Sequence, residues 1–304
     1  MNACEVLIVG AGPAGLAAAL QLKRYGLEPL VFERAQPGGL LRNANRVENY
    51  PGFPRGIAGP RLARLIVSQA RQVGVAIRDE QILRLSWDGA AFQAVSNQGR
   101  YTARCAVVAS GTRPRRFQEF EIPGDLADRV FYEVHPLLGL EGQQVVIVGA
   151  GDAAFDYALN LGRQNQVIIL NRGEQINCLP LLWERAKACP RITYLPGVRI
   201  CRLAGSPQSG ISVECSSPAG VLQFQAQALL GAIGREPQED FLDPAMLAHR
   251  NALETQGILH FIGDVKNGIY RQVAIAVGDG IRAAMRIYQV LVEASNENTR
   301  DYRA

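Results

Sequence analysis

The sequence predicts an α/β chain with two domains of strand–helix–strand design, the second inserted into the first. The first domain shows a strand, a helix and a strand at residues 5–9, 13–24 and 29–33. The same order recurs at residues 144–148, 153–161 and 166–170. Strand–helix–strand units place their two strands side by side and parallel, so each domain is predicted to contain a parallel sheet.

Small antiparallel hairpins are expected after each of these units. They fall at residues 82–104 in the first domain and 198–225 in the second, where clusters of Gly, Asn, Asp and Ser indicate turns. Each copy then closes with an apolar strand that runs into a glycine, at residues 105–111 and 228–234. The chain therefore contains two versions of one structural plan.

The remaining segment, residues 256–304, is too short for a third copy. It contains a strand that ends at Gly263-Asp264 and a long helix near residues 272–293, and we expect it to complete the first domain. The predicted domains are therefore residues 1–116 with 239–304, and residues 117–238. Arg113-Pro114 and Glu236-Pro237 are the predicted connections.

Composition excludes several functional classes. With 48% hydrophobic and 20% charged residues the chain is globular, and its net charge of +4 comes from scattered residues, which argues against nucleic-acid binding. We find neither an apolar run of about 18 residues nor a signal-like start, so no membrane span or secretion is expected. Six cysteines without a Cys-x-x-Cys pair favour reduced thiols in the cytoplasm, and we predict no metal site.

The segment Gly10–Gly15 reads Gly-Ala-Gly-Pro-Ala-Gly and lies between the first strand and helix. In this pattern Gly10 permits a tight turn, Gly12 lets a pyrophosphate approach the backbone, and Gly15 lets helix and strand pack closely. The helix N-terminus favours the phosphate charge, and Glu33 can accept hydrogen bonds from ribose hydroxyls. These features predict a dinucleotide site; an ordinary glycine-rich turn is the alternative.

A second pattern, Gly-Ala-Gly-Asp-Ala-Ala, begins at Gly149 and has the same strand and helix context. At the end of the next strand, Asn171 stands where a ribose-binding acid is expected, and Arg172 follows it. A fold that has lost its ligand is the alternative. The residues predicted to hold this second nucleotide are Gly149, Gly151, Asp152, Ala153, Ala154, Asn171, Arg172 and Gly234.

The motifs occur in the order and spacing of one known family. Besides the two glycine patterns, they comprise Gly38-Gly39, residues 47–52, residues 109–111, Gly263-Asp264 and residues 271–274. Over its whole length the chain resembles the low-molecular-weight thioredoxin reductases. The resemblance implies two Rossmann-like domains of the three-layer ββα, FAD/NAD(P)-binding type, with FAD in the first, NADPH in the inserted one, and a homodimer.

The resemblance also implies which residues line the FAD. They are Gly10, Gly12, Ala14, Gly15, Glu33, Arg34, Gly39, Leu40, Asn49, Ala109, Gly111, Gly263, Asp264, Arg271, Gln272 and Val273. It further implies that the last helix points its N-terminus, near Val273, at the pyrimidine edge of the flavin, where a helix dipole stabilises negative charge.

Three positions depart from the family. Tyr132 and His135 stand where the family has its redox Cys-x-x-Cys, so the usual relay from flavin to disulfide has no thiols at this place. The cations that clamp the 2′-phosphate of NADPH are reduced to Asn171-Arg172-Gly173 with Asn177, which puts the preference for NADPH in doubt. Leu40 replaces a glutamine beside the flavin.

Tyr132 and Val134 also resemble the Tyr-x-Val of ferredoxin-NADP reductases built on this fold, which lack the disulfide. Those reductases continue past the last helix with an aromatic residue over the flavin, and this sequence offers only Tyr302 there. His135 is a candidate proton relay at the flavin or a polar residue at the domain seam. Tyr132 is a candidate catalytic residue or a packing aromatic.

We therefore expect an enzyme in which NAD(P)H reduces FAD and the electrons pass to an acceptor other than a resident dithiol. Candidate acceptors are a ferredoxin-like electron-transfer protein, a small quinone and a small disulfide. One alternative is a carrier with a second flavin in the inserted domain, or with a protein partner as its electron source. Another is a flavin-binding sensor without enzymatic activity.

Overall fold

The computed structural model describes residues 2–206 and 208–301, and side chains for all of these except 294–301. Tyr302 therefore lies outside the described residues. The strands are β1 (Asn2–Val9), β2 (Leu30–Glu33), β3 (Ala76–Asp79), β4 (Ile82–Trp87), β5 (Phe92–Ser96), β6 (Arg100–Val108), β7 (Thr112–Pro114), β8 (Val130–Phe131), β9 (Gln144–Val148), β10 (Gln166–Leu170), β11 (Ile192–Leu195), β12 (Arg199–Ser206), β13 (Gly210–Ser217), β14 (Gly220–Ala226), β15 (Ala228–Gly231), β16 (Arg235–Pro237) and β17 (Leu259–Phe261). The α-helices are α1 (Pro13–Arg24), α2 (Gly59–Gln72), α3 (Asp152–Leu161), α4 (Pro180–Lys187), α5 (Pro244–Ala248), α6 (Arg250–Thr255) and α7 (Val273–Asp301).

The chain divides into two compact units. Unit 1 comprises Met1–Arg42, Glu48–Arg113 and Pro237–Ala304, and unit 2 comprises Asn43–Val47 and Pro114–Glu236. The sequence had assigned residues 43–47 to the first domain, whereas the structure groups them with the second. The two predicted connections form the short strands β7 and β16, which pair with each other.

Unit 1 is built on a sheet in the order β3-β2-β1-β6-β5-β4, with β17 paired to β6. Strands β1, β2, β3 and β17 run parallel to their neighbours, while β4, β5 and β6 form the predicted antiparallel hairpins. Residues of β1 alternate between the two faces of the sheet. Val6 and Ile8 join the core with α1, α2 and α7, and Leu7 and Val9 join the core with β4, β5, α5 and α6.

Helix α1 begins and ends where its sequence changes. Pro13 occupies the first helical position, where a missing N–H costs nothing, and Gly26 follows the helix with φ +78°. Its small residues allow α7 to pack closely across it. A Cβ added to Gly280 of α7 would lie 2.3 Å from the carbonyl oxygen of Ala14, so this helix crossing requires glycine.

Unit 2 repeats the plan on a parallel sheet in the order β11-β10-β9-β15-β8. Helices α3 and α4 cover one face, where Val145 and Ile147 are buried. The antiparallel sheet β12-β13-β14 contributes to the core on the other face, where Val146 is buried. Each unit is therefore a three-layer ββα fold, which confirms the predicted fold class.

None of the helices described between residues 2 and 301 is both long enough and apolar enough to span a membrane.

Candidate nucleotide-binding sites

The turn between β1 and α1 is shaped by two glycines that the fold itself requires. Gly10 has φ +107°, and a Cβ there would lie 2.3 Å from the carbonyl oxygen of Ala109. A Cβ on Gly15 would lie 2.0 Å from the carbonyl oxygen of Gly10. Ala109 follows β6, so these contacts fix the turn against the neighbouring strand and bring three predicted site residues together.

Gly12 differs, because no protein atom crowds it. Its backbone is extended, with φ −78° and ψ −177°, a conformation open to any residue. An added Cβ would come no closer than 4.0 Å to protein, at the Cα of Gly39. The fold therefore does not explain a glycine here, whereas a phosphate approaching the first N–H groups of α1 does. This open cradle fits the pyrophosphate of FAD.

Glu33 ends β2 and ties its carboxylate to the same turn. One oxygen accepts the backbone N–H of Ala11 at 2.9 Å, and the other accepts the backbone N–H of Ala35 at 3.0 Å. Each carboxylate oxygen has a further lone pair, so Glu33 can also accept ribose hydroxyls. The position is the one that the sequence predicted for ribose recognition.

Two other predicted FAD residues, Gly39 and Gly263, come from distant parts of the chain and lie against this turn. A Cβ on Gly39 would lie 3.1 Å from the Cα of Gly12, and one on Gly263 would lie 2.8 Å from the Cβ of Ala14. Asn49 donates from Nδ2 to Oε1 of Gln272 at 2.7 Å. Of the rest, Gly111 has φ +67°, Arg34 is exposed, and Leu40, Asp264, Arg271 and Val273 are half-buried.

Asp279 on α7 supports this site and was missed by the sequence analysis. It is 7% exposed, and its Oδ2 accepts the backbone N–H of Gly263 at 3.1 Å and Nδ2 of Asn267 at 2.7 Å. Arg282 donates to its other oxygen at 2.9 Å. These bonds hold the turn after β17. An acid within an otherwise Ala- and Gly-rich helix face was the signal available in the sequence.

The second fingerprint, in unit 2, divides its glycines in the same way. Gly149 has φ +138°, and a Cβ there would lie 2.4 Å from the carbonyl oxygen of Ala232. Gly151 has an extended backbone with φ −95°, and its nearest protein atom to an added Cβ is the carbonyl oxygen of Asn177 at 3.9 Å. Gly151 therefore leaves open space in front of α3, where Ala153 is exposed and Ala154 is buried.

The loop after β10 is held against this fingerprint. Oδ1 of Asp152 accepts the backbone N–H of Leu179 at 2.7 Å, and the backbone N–H of Asn177 donates to Ala150 at 2.9 Å. Gly234, also predicted here, has φ +109°, and its carbonyl oxygen accepts the backbone N–H of Arg115 at 3.0 Å. The loop thus has a defined position beside the open glycine.

Tyr132 is a core residue of unit 2, which is the packing alternative. It is 8% exposed and packs beside Phe117 with ring centroids 5.3 Å apart. Its hydroxyl accepts the backbone N–H of Phe117 at 3.1 Å, and a Cβ on Gly231 would lie 2.8 Å from its ring. The hydroxyl and the ring therefore both have partners inside unit 2, which favours the packing interpretation of Tyr132. His135 has an exposed side chain.

Residues 43–47 contact the rest of unit 2 through polar bonds that the sequence did not reveal. Nδ2 of Asn43 donates to Glu133 at 2.6 Å, and the backbone N–H of His135 donates to Oδ1 of Asn43 at 3.1 Å. The backbone N–H of Asn45 donates to Asp156 at 2.8 Å. Burial raises the pKa of the Asp156 carboxyl to about 6, although hydrogen bonds from the backbone N–H groups of Asn45 and Arg46 lower it.

None of the six cysteines is in a disulfide. Burial raises the pKa of three thiols, to about 11 for Cys4, about 12 for Cys105 and about 11 for Cys215. Burial also raises the pKa of Cys178. Cys105 is buried, whereas Cys4 is only half-buried. High thiol pKa values oppose the thiolate that disulfide exchange needs.

The chain is similar in sequence to known thioredoxin reductases. The thioredoxin reductase of Mycolicibacterium smegmatis is 29% identical over 305 residues, covering 95% of this chain and 97% of that protein. The bifunctional thioredoxin reductase/thioredoxin of Mycobacterium leprae (strain TN) is 30% identical over 317 residues, covering 98% of this chain and 69% of that protein. Both similarities run through both units.

Solved structures agree in fold. The thioredoxin reductase of Lactococcus lactis, in its FR conformation, matches with a TM-score of 0.83 at 25% identity, over 95% of this chain and 99% of that one. The bacillithiol disulfide reductase Bdr of Bacillus cereus matches with a TM-score of 0.73 at 20% identity, over 95% and 99%, and supports the fold alone. The family model described as pyridine nucleotide-disulphide oxidoreductase matches residues 4–280. The chain therefore belongs to the pyridine nucleotide-disulphide oxidoreductase family, as a flavin-dependent NAD(P)H oxidoreductase that uses FAD.

Proposed function

We propose that this enzyme moves electrons between NAD(P)H and an acceptor outside the chain, with FAD bound in unit 1, the nicotinamide nucleotide in unit 2, and no resident dithiol. When bound, FAD supplies the chemistry of accepting a hydride and passing electrons onward. The residues of the chain bind and orient the two nucleotides. The absence of a Cys-x-x-Cys carries this proposal.

The cysteines of the chain are poorly suited to replace that motif. Relatives of this chain are named thioredoxin reductases, and thiol–disulfide exchange needs a thiolate beside a second thiol. Here burial raises the pKa of Cys4, Cys105, Cys178 and Cys215, and none of these thiols is in a disulfide. Tyr132 and His135 occupy the positions where the family resemblance places the two thiols. Electrons leaving the flavin site therefore go to an external acceptor.

Gly151 supports a nucleotide in unit 2 over a unit that has become purely structural. Its extended backbone suits any residue, and an added Cβ would meet no protein atom closer than 3.9 Å. A pyrophosphate lying on the N-terminus of α3 accounts for the glycine. We therefore assign Gly149, Gly151 and the loop after β10 to the nicotinamide nucleotide.

In unit 1 the N-terminus of α7 is positioned to hold negative charge. Gln272 precedes the helix, and its carbonyl oxygen accepts the N–H of Ala276 at 3.0 Å. The N–H groups of the first turn lack acceptors within the helix, and the helix dipole adds positive potential there. The bond from Asn49 to the Gln272 side chain orients this end of α7.

The acceptor classes we propose are a ferredoxin-like protein, a small quinone and a small-molecule disulfide, and we place the enzyme in the cytoplasm.

We also propose a homodimer. Helix α7 exposes Ile281, Met285 and Val292 at helical spacing, which forms an apolar stripe. Light scattering of the wild type and of Met285→Glu tests this assembly, and a wild-type monomer would contradict it.

Electron counting tests the central proposal. Anaerobic titration with dithionite should consume two electrons per bound FAD, since a redox disulfide would add two more. Consumption of four electrons per FAD would overturn the proposal. Mixing with NADH and NADPH without oxygen should bleach the flavin absorbance with at least one of them. No bleaching at millimolar nucleotide would remove NAD(P)H as the donor.

A diflavin electron carrier is the second candidate function. It is favoured by the loop after β10, where one arginine replaces the cation cluster that the family uses for the 2′-phosphate. A count of flavins released per chain on denaturation separates the two functions. One flavin agrees with a nicotinamide nucleotide in unit 2, and two flavins would establish the diflavin carrier.

A further inference from the structure

The end of β10 determines which nucleotide unit 2 can accept. In a doubly wound fold, ligands bind at the carboxyl ends of the parallel strands, and the residue after the second strand meets the adenosine ribose. Here Leu170 ends β10, and Asn171 and Arg172 follow. A carboxylate at this corner favours NADH, while cations favour the 2′-phosphate of NADPH.

Asn171 is already committed to the loop. Its Nδ2 donates to the carbonyl oxygen of Gln175 and to the hydroxyl of Tyr194, both at 2.9 Å, and its Oδ1 accepts the N–H of Gly173 at 3.1 Å. The side chain is 8% exposed. Asn171 therefore fixes the shape of this corner, and the charges at the corner come from other residues.

Arg172 and Glu119 supply that charge. The guanidinium Nη1 of Arg172 lies 3.2 Å from Oε1 of Glu119, and the two side chains are 73% and 59% exposed. Glu119 comes from the segment between β7 and β8, so it reaches this corner from outside the fingerprint. Glu174, within the loop itself, adds a second acid and is exposed. Among Arg172, Glu119 and Glu174, two acids therefore stand against one cation.

We propose that Glu119 is a specificity-determining residue that makes unit 2 prefer NADH to NADPH. This inference rests on the proposed binding of a nicotinamide nucleotide in unit 2. Glu119 neutralises the arginine of the corner, so a 2′-phosphate would meet a carboxylate in place of a free cation. The same carboxylate can accept hydrogen bonds from the ribose hydroxyls of NADH. Glu119 would then take the role of the acid that is absent at position 171, where Asn171 stands.

Removing this one carboxylate should shift the preference measurably. Glu119→Gln frees Arg172 for a charge-assisted bond to the 2′-phosphate and removes a like charge. An exposed ion pair contributes little, while a hydrogen bond to a charged group contributes more, so we expect about a tenfold change in the ratio of the two dissociation constants. The change should shrink at high salt, because exposed charges are screened.

Isothermal titration calorimetry with NAD⁺ and NADP⁺ on the FAD-loaded protein tests the inference without relying on turnover. The wild type should bind NAD⁺ more tightly, and Glu119→Gln should narrow the difference about tenfold at low salt. Adding Arg172→Gln to that variant should reverse most of the gain for NADP⁺. Glu214→Gln is the matched control, because it removes an exposed acid of unit 2 on β13.

The outcomes separate this inference from the proposed function. If wild type prefers NADP⁺, or if the ratio changes by less than twofold in Glu119→Gln, Glu119 does not set specificity although unit 2 still binds a nicotinamide nucleotide. If wild type binds neither nucleotide, the proposed function of unit 2 itself fails. An equal shift in Glu214→Gln would attribute the effect to net charge and would also overturn the role of Glu119.

Discussion

Asp156→Asn should stabilise unit 2 at neutral and alkaline pH. Asp156 lies on α3, half-buried, and accepts backbone N–H groups of Asn45, at 2.8 Å, and of Arg46. Burial nevertheless raises the pKa of its carboxyl from 3.8 to about 6, because the carboxylate loses more hydration than these donors restore. An asparagine keeps a carbonyl oxygen for the Asn45 donor and carries no charge.

The magnitude follows from linkage. The folded pKa lies above the unfolded one, so the contribution of Asp156 to stability is fully present below pH 3.8 and is lost as the pH rises to about 6. One pKa unit equals about 1.4 kcal/mol, so this rise corresponds to a loss of about 3 kcal/mol. The advantage of the asparagine variant should therefore be below about 1 kcal/mol at pH 4 and about 3 kcal/mol at pH 8.

Differential scanning calorimetry of the wild type and Asp156→Asn at several pH values measures this difference. For a unit of this size 1 kcal/mol moves Tm by about 2–4 °C, so the gap between the two proteins should widen by roughly 5–10 °C from pH 4 to pH 8. Glu214→Gln, which removes an exposed acid, should show a nearly constant gap. A constant gap for Asp156→Asn, or a variant less stable at pH 8, would refute the reasoning.

Three further substitutions test the assignments made above. Gly12→Ala should leave the Tm of the apoprotein unchanged or slightly higher, because its Cβ has 4.0 Å of clearance from protein and alanine lowers the entropy of the unfolded chain, and it should weaken FAD binding about tenfold or more in flavin-uptake titrations. Gly151→Ala should retain FAD but weaken binding of the nicotinamide nucleotide in calorimetry; equal loss of both would contradict the division between the units. Tyr132→Phe should lower stability by about 1 kcal/mol in denaturant titrations, through loss of its bond to Phe117, without slowing reduction of the flavin.

Much of the fold could be predicted because glycine and proline mark its turns. The bounds of α1, β9 and β10 are those that the sequence predicted. The placement of Asn43–Val47 in unit 2 could not be predicted, because it depends on polar contacts such as Asn45 to Asp156, 111 positions apart. Such bonds leave no periodic pattern in the sequence.

Side-chain direction in irregular segments was equally inaccessible. Residues 130–135 contain a two-residue strand and no sustained alternation. The sequence therefore could not decide whether Tyr132 faces a ligand or the core, and the contact with Gly231 decides for the core. For the predicted FAD residues, spacing and resemblance could name Asn49 and Gln272, but only the fold brings their side chains within 2.7 Å of each other.

Each of the two fingerprints contains one glycine that packing requires and one that packing does not require. Gly10 and Gly149 both lie against a carbonyl oxygen that follows a neighbouring strand, at 2.3 Å and 2.4 Å from an added Cβ, so packing alone preserves them. Gly12 and Gly151 both have extended backbones and open space. If unit 2 had become a purely structural copy, nothing in its packing would favour glycine at position 151, because a side chain there would cost no contact and would lower the entropy of the unfolded chain. The glycine at that position is therefore best explained by a ligand that approaches the backbone of unit 2, as we propose for FAD at Gly12 in unit 1.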